Sequence, residues 1–370
     1  MAYLRDYLVP QAKSKIKAGD GMQFGKYRFF TSSPIQSKCY HTAIYDQPAL
    51  IFGTGGNASV HYCDEPFATS TDCLVMYCSD SSALELIYQY LHTNLHILQA
   101  GFKGAGLQHV SKEYILNIAV DLPDEIEQRH ILEEFRTIDA VIVSRRKQLA
   151  KLDELVKSRF IEMFGDPIIN EKGWTVSTLG EYMTLLTDFS ANGSYELLDS
   201  NVVMYDEPNY AVMVRTTDLE SGDLCNGVKY IDQAAYELLS KSKLYGGELI
   251  MNKIGSAGKV YIMPFIDKPA SLGRNAFMFR FDDRINMTYL YALLTSDYGT
   301  NEIQQYVRGA VTKTITKEST RSIRVIVPPI ELQKQYATFV EQTDKSKLAI
   351  QKSLEKLETL KKALMQKYFG

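Results

Sequence analysis

The feature that most constrains this chain is repetition. Residues Gly104 to Gly165 align with Gly309 to Gly370 at a constant offset of 205 and without a gap. Gly104-Ala105 matches Gly309-Ala310, Lys112-Glu113 matches Lys317-Glu318, Pro123 matches Pro328, Gln128 matches Gln333, and Asp139 matches Asp344. Lys151-Leu152 matches Lys356-Leu357, and Phe164-Gly165 matches Phe369-Gly370. A looser match joins Leu4 and Tyr7 to Leu179 and Tyr182 at an offset of 175, so the second copy carries about thirty extra residues before its matched end. Repetition on this scale predicts like units set in tandem, not one continuous core. The units run from 1 to about 165 and from about 174 to 370. Between them, 166–173 holds Pro167 and Gly173 and reads as a hinge.

Each copy ends in a periodic stretch. Ile131, Phe135, Ile138, Ile142, Leu149, Leu152, Val156 and Met163 follow steps of four and three, interrupted by Arg145 and Arg159. The second copy reads Tyr336, Val340, Thr343, Lys347, Ile350, Leu354, Leu357, Lys361, Leu364 and Tyr368. Such spacing places one side chain per turn on a single seam, the pattern of a coiled coil. Pro123 and Pro328 stand just ahead of each helix, where a missing N–H does no harm. The two helices are expected to pair antiparallel within the chain, through Ile138, Leu149 and Leu152 on the first and Ile350, Leu354 and Leu357 on the second. A helix of about 38 residues spans roughly 55 Å, enough to hold two domains apart.

Ahead of each helix the sequence mixes strand and helix signals. Leu50-Ile51-Phe52, Cys73-Leu74-Val75-Met76-Tyr77 and Ala276 to Phe281 read as strands, and one helix per copy is expected at 82–98 and at 287–306. The fold class is α+β: two mixed α/β domains in tandem repeat, separated by two long helices paired as an antiparallel coiled coil. The domains are 1–122 and 174–327, the long helices 123–165 and 328–370, and the linker 166–173.

Net charge is −3, so the surface as a whole does not suit a nucleic acid, and any DNA site must be a local basic patch. Residues 308–324 supply Arg308, Lys313, Lys317, Arg321 and Arg324 against Glu318; residues 1–38 supply Arg5, Lys13, Lys15, Lys17, Lys26, Arg28 and Lys38 against Asp6 and Asp20. A solvated basic face would look the same. Five cysteines, Cys39, Cys63, Cys73, Cys78 and Cys225, make an odd set without a Cys-x-x-Cys pair, which argues for a reducing compartment and against structural zinc. No signal-peptide core or membrane-length apolar run is present, so a cytoplasmic protein is expected.

The duplication tests weak loop signals against each other. Gly53 to Ser59 lines up with Asn252 to Lys259, Thr69-Ser70-Thr71-Asp72 with Ser271-Leu272-Gly273-Arg274, and Phe102-Lys103-Gly104-Ala105 with Val307-Arg308-Gly309-Ala310. Glycine lets backbone approach a phosphate, and Lys, Arg, Asn, Ser and Thr contact phosphates and base edges. Candidate DNA contacts are therefore Thr54, Asn57, Ser59, Thr71 and Lys103 in the first copy, and Lys253, Ser256, Lys259, Arg274, Asn275, Arg308 and Lys313 in the second. Plain hairpin turns favour the same Gly and Asn.

Chemistry of its own is hard to find. Phe52-Gly53-Thr54-Gly55-Gly56 resembles an S-adenosylmethionine loop, but the second copy keeps only one of its glycines and no Asn/Asp-Pro-Pro-aromatic tetrad exists. His92 and His96 are four apart like a metal pair, yet no glutamate accompanies them and the second copy has Ser296 and Thr300 there. Neither a Walker loop nor a Gly-x-Ser-x-Gly elbow appears. No catalytic residue, metal or cofactor is assigned.

The matched stretch from Gly104 to Gly165, with Leu122-Pro123, Glu127-Gln128, Ile138-Asp139 and Met163-Phe164-Gly165-Asp166-Pro167, and its echo through Val327-Pro328-Pro329, Gln333 and Asp344, resembles the specificity (S) subunits of type I restriction-modification systems. Leu249 to Ser256 and Ser271 to Asn275 are similar to that family's target-recognition domains. The resemblance implies that each recognition domain reads one half of a bipartite double-stranded DNA target in the major groove, with the helix pair as a ruler between halves. It also implies two methyltransferase (M) subunits that methylate adenine, two restriction/motor (R) subunits that can join them, and an S subunit that catalyses nothing. The end of the helices at Gly370, with no helical segment ahead of residue 1, implies a compact helical body. The alternatives are a specificity factor of another phage-defence system and a DNA methyltransferase in its own right.

Overall fold

Strand Ala49–Gly53 is buried along its whole length, and its alternating side chains explain the layering of the first copy. Leu50 and Phe52 pack with Leu84, Ile87 and Leu91 of helix Ser81–Thr93. Ala49 and Ile51 point the other way, into a second cluster with Phe30, Phe67 and Val75. A strand covered on both faces reads as a continuous apolar run, as Leu50-Ile51-Phe52 does. The second copy repeats this: Leu249 and Met251 join Tyr289, Leu290 and Leu293, whereas Ile250 joins Val212, Val214 and Leu272.

The computed structural model describes residues 2–104 and 108–369. Ala105 and Gly370, named above, lie outside them. The chain divides into two units, Met1–Gln148 with Ala349–Gly370, and Leu149–Leu348.

In the first unit, an antiparallel sheet runs Val9–Pro10, Cys73–Tyr77, Ala49–Gly53, Ser59–Cys63. A three-stranded sheet runs Lys38–Tyr40, Tyr27–Phe30, Phe67–Thr69, its last pair parallel. The second unit has the same order in Met183–Asp188, Ala276–Phe281, Leu249–Asn252, Val260–Ile262, and in Lys229–Ile231, Ala211–Val214, Ala270–Leu272, the last pair again parallel. The extra residues of the second copy supply short helices such as Tyr195–Asn201 and Gln233–Leu238 and an added edge strand, Lys243–Leu244.

The single helix expected in each copy is two. The first breaks between Ser81–Thr93 and Leu95–Gln99, where Asn94 leaves helical geometry with ψ 45° and its side-chain amide donates to the Tyr90 carbonyl. The second breaks between Met287–Thr295 and Asp297–Gln304, where Ser296 is extended and its hydroxyl accepts from Gly299 N–H as a cap. Gly299 lies so close to the Leu293 carbonyl that a Cβ would sit 2.3 Å from it. Side-chain capping thus ended helices that apolar periodicity alone would continue.

The long helices are Glu125–Phe164 and Ile330–Phe369. Gln128 and Gln333, matched in the repeat, do the same work at each start: the amide reaches back to the Pro123 carbonyl at 2.9 Å and the Pro328 carbonyl at 2.7 Å. The helices pair antiparallel. In the first unit Glu134 meets Tyr368, Asp139 meets Lys361 at 2.7 Å, and Arg146 meets Glu358. In the second, Asp153 meets Lys347 at 2.7 Å and Phe160 meets Tyr336. Seam positions Lys347 and Lys361, polar where a coiled coil prefers apolar residues, each receive a carboxylate from the facing helix. Ile138 is buried; Leu149, Leu152, Ile350, Leu354 and Leu357 are half-buried.

Apolar weight gathers instead near the helix ends. In the second unit Phe160 stacks on Tyr289 at 5.7 Å and meets Phe164 at 5.0 Å and Tyr336 at 5.5 Å. In the first, Ile131, Leu132, Phe135 and Met365 pack around Leu86. Phe160→Ala is therefore expected to cost about 3–5 kcal/mol, and Leu152→Ala clearly less. Urea titrations of the two variants check this, and equal losses would contradict it.

Candidate nucleic-acid interface

The three matched loops of each copy meet in space, and backbone hydrogen bonds hold them together. In the first unit Thr54 N–H donates to Asp72 O at 2.9 Å, Gly56 N–H to Gln108 O at 3.2 Å, and Val110 N–H to Thr54 O at 3.2 Å. In the second, Lys253 N–H donates to Asn275 O at 2.9 Å, Gly255 N–H to Lys313 O at 3.0 Å, and Ile315 N–H to Lys253 O at 3.0 Å. The returning loop is itself a small ladder, Lys103 with His109 and Arg308 with Thr314. Gly56 at φ 83° and Gly255 at φ 82° turn the two hairpins in a conformation that other residues rarely adopt. The frame is common to both copies, and the side chains on it differ.

The hydrogen bonds correct one sequence pairing. Thr69 and Leu272 are equivalent, because they face Phe30 and Val214 across the parallel pairs. Asp72 therefore matches Asn275, and Thr71 matches Arg274, one residue away from the sequence alignment. Insertions elsewhere shift the offset from loop to loop, and sequence alone had no anchor for it.

The candidate residues divide by what holds them. Ser59 is 2% exposed and its hydroxyl donates to Ser32 O; the hydroxyl of buried Thr54 donates to Asp72 O. Lys253 is drawn inward, its ammonium 2.9 Å from Asp188. These three do not present themselves to a ligand, contrary to the sequence expectation, because strand pairing takes Ser59 into the sheet, the Asp72 carbonyl holds the Thr54 hydroxyl and the Asp188 carboxylate holds Lys253. Arg308 folds onto the carbonyls of Gln305 and Val307. Lys259 pairs with Glu220 and Arg274 with Asp199 at 3.2 Å, exposed contacts that cost little to exchange. Asn57, Thr71, Lys103, Ser256, Asn275 and Lys313 are exposed on the loops.

Other readings of the sequence resolve on the same geometry. Phe52 to Gly56 leads from one antiparallel strand into the next and not into a helix, so it lacks the helix N-terminus by which dinucleotide-type loops hold phosphate. His92 and His96 fall on separate helices, and His92 stacks on Tyr88 at 5.2 Å. Among the described residues, no group of three or more His, Cys, Asp or Glu is placed to hold a metal ion, and no helix is long and apolar enough to cross a membrane.

The family model for the type I restriction modification DNA specificity domain matches this chain twice, over residues 10–154 and 171–362. The chain belongs to that family. It is 25% identical over 279 residues to the specificity subunit of the type I restriction enzyme MjaVIII of Methanocaldococcus jannaschii, an alignment covering 72% of this chain and 65% of that protein. This chain thus spans less than two thirds of the relative's length. The fold is shared with the S subunit of a type I restriction-modification system from M. genitalium, at a TM-score of 0.63 and 15% identity over 100% of this chain and 95% of that one. It is also shared with a chain from a structure addressing complex assembly and conformational transition of the type I R-M system, at a TM-score of 0.56 and 14% identity, with 99% and 96% covered.

In this specificity-domain chain, sequence reading missed the group that organises the second loop cluster. Asp188 is buried between Lys253 at 2.9 Å and Lys317 at 2.7 Å, and both ammonium groups lie over the Phe277 ring. Burial raises the Asp188 carboxyl, but the hydrogen bonds from Lys317 and Lys253 and the charges of both lysines together outweigh it and hold the group below the usual carboxylate range. A depressed folded-state value stabilises the fold above the unfolded pKa, about 4, and that stability is lost as pH falls through the folded value. Asp188→Asn is thus expected to lower the melting temperature at pH 6, with the gap to the unmodified chain narrowing as pH falls below about 4. Parallel melting curves from pH 6 to 3 check it; a constant difference would refute it.

Proposed function

We propose that this chain is the non-catalytic DNA-recognition subunit of a type I restriction-modification complex, reading a bipartite double-stranded target with one loop cluster per half. The observation that carries this reading is the frame of three backbone hydrogen bonds that recurs in both units under different side chains. Thr54, Asp72 and Gln108 occupy in the first copy the places of Lys253, Asn275 and Lys313 in the second. Backbone bonds hold a loop in place whatever side chain it bears, so side chains can change with the sequence read. Two readers with a shared frame and different side chains suit a target of two unlike halves.

Within this reading, Asn57, Thr71 and Lys103 contact one half, and Ser256, Asn275 and Lys313 the other, with Lys259 and Arg274 recruited once their exposed ion pairs exchange for phosphate. Arg308 supports its loop. The recognition domains are 1–122 and 174–327, helices 123–165 and 328–370 set the spacer, and 166–173 links the first helix to the second domain. Two methyltransferase subunits supply adenine methylation and two restriction/motor subunits, where present, cleavage, all in the cytoplasm and with no cofactor on this chain.

Long-read methylome sequencing of a strain expressing this chain with its methyltransferase subunit tests the reading. Adenine methylation at one split motif with a fixed spacer is expected, disappearing when this chain is omitted. A continuous motif, or methylation that persists without this chain, would overturn it.

A further inference from the structure

The Asp188 cluster of the second copy has a counterpart in the first from which the anion is missing. Lys317 matches Lys112 in the gapless repeat, and Lys253 matches Thr54 in the hydrogen-bond frame. Phe277 lies opposite Met251, and Leu74 lies opposite Phe52 at the same place in the first sheet. Asp188 pairs with Phe277; extending the Val9–Pro10 register, in which Pro10 faces Met76, puts Ala12 opposite Leu74. Three of the four side chains are thus smaller in the first copy, and the carboxylate is gone.

A cavity of about 650 Å³ opens there. Its lining includes all four equivalents, Ala12, Thr54, Leu74 and Lys112, together with Lys13 and His109, and it contains no acidic residue. Lys13 and Lys112 are exposed, and neither forms an ion pair among the described residues. His109 turns its Nδ1 to the Thr54 carbonyl at 3.1 Å, which leaves Nε2 on the other side of the ring. In the second copy a lysine at the position of Lys112 closes on an internal carboxylate. In the first, the same lysine has no internal partner, and the space is bounded by the loops that carry the candidate DNA contacts.

We propose that this cavity is a phosphate site, filled by one phosphodiester of the bound DNA backbone. The first copy takes from its ligand the negative charge that the second copy supplies from its own chain. The proposal rests on the DNA-reading function above and adds an asymmetry to it: the first copy grips the backbone through a recess, whereas the second has that recess filled by Asp188. A site of this kind contributes affinity and orientation without base preference, because every nucleotide offers the same phosphate.

The test uses the full chain, unmodified and as Ala12→Asp, which restores the carboxylate of the second copy, and as Lys112→Ala, which removes an exposed side chain and leaves folding undisturbed. Duplex affinity is measured between about 50 and 200 mM salt, where each neutralised phosphate contributes about 0.9 to the slope of log affinity against log salt. Both variants are expected to lose about one from the magnitude of that slope and to keep the ratio of target to non-target binding. If both keep the original slope and affinity while the unmodified chain binds duplex, the cavity holds no phosphate of the DNA backbone and the DNA-reading function stands. Calorimetric titration with inorganic phosphate separates the sources. Saturable binding abolished by either variant, with DNA slopes unchanged, would overturn the backbone assignment in favour of free phosphate. If the unmodified chain binds neither duplex nor phosphate, the site and the DNA-reading function fall together. Phosphate binding without duplex binding would end the DNA-reading function alone.

Discussion

The backbone of one residue in each copy, Thr54 in the first and Lys253 in the second, ties the loop cluster together. Its N–H reaches the turn before the next strand and its carbonyl receives the chain returning from the helical layer. Because these bonds belong to the backbone, they hold the hairpin, the turn and the returning loop in register whatever the side chains are. That separation between what positions a loop and what the loop displays is what the proposed reading needs if one fold is to be used twice for different half-targets. The sheet beneath it, covered on both faces, provides the rigid base from which short loops can project.

Charge is managed differently in the two copies, and each solution follows from the side-chain sizes available. In the second, Lys253 and Phe277 fill the space beneath the hairpin, and a buried cation there needs the Asp188 carboxylate to offset its desolvation. In the first, Thr54 and Leu74 leave room and Ala12 leaves no charge, so the lysines stay in solvent. The helix seam obeys the same rule: Lys347 and Lys361 sit where apolar residues are usual, and Asp153 and Asp139 meet them.

Features carried by regular spacing were legible in the sequence. The gapless repeat and the four-three seam gave the helices and their pairing, because a register repeated over some forty residues is hard to produce otherwise. Leu50-Ile51-Phe52 was readable as a strand since burial on both faces leaves a continuous apolar run. Features that depend on a single local hydrogen bond were not readable: Asn94 and Ser296 end helices through their own side chains, amid periodicity that runs on. Lys253 looked like a DNA contact because its partner Asp188 is distant in sequence, and nothing near Lys253 announces a carboxylate. The displacement by one between Thr71 and Arg274 was invisible for a similar reason, since only the pairing with Phe30 and Val214 fixes it.

Amide hydrogen exchange of the full chain, free and bound to a duplex carrying the split target proposed for it, tests the central claim most directly. The account predicts slowed exchange in both loop clusters, at 54–58, 71–72 and 108–110 in one copy and at 253–259, 274–275 and 308–314 in the other, with a duplex bearing only one half-site protecting only one cluster. Protection confined to a single cluster on the complete target, or lying away from both, would contradict it.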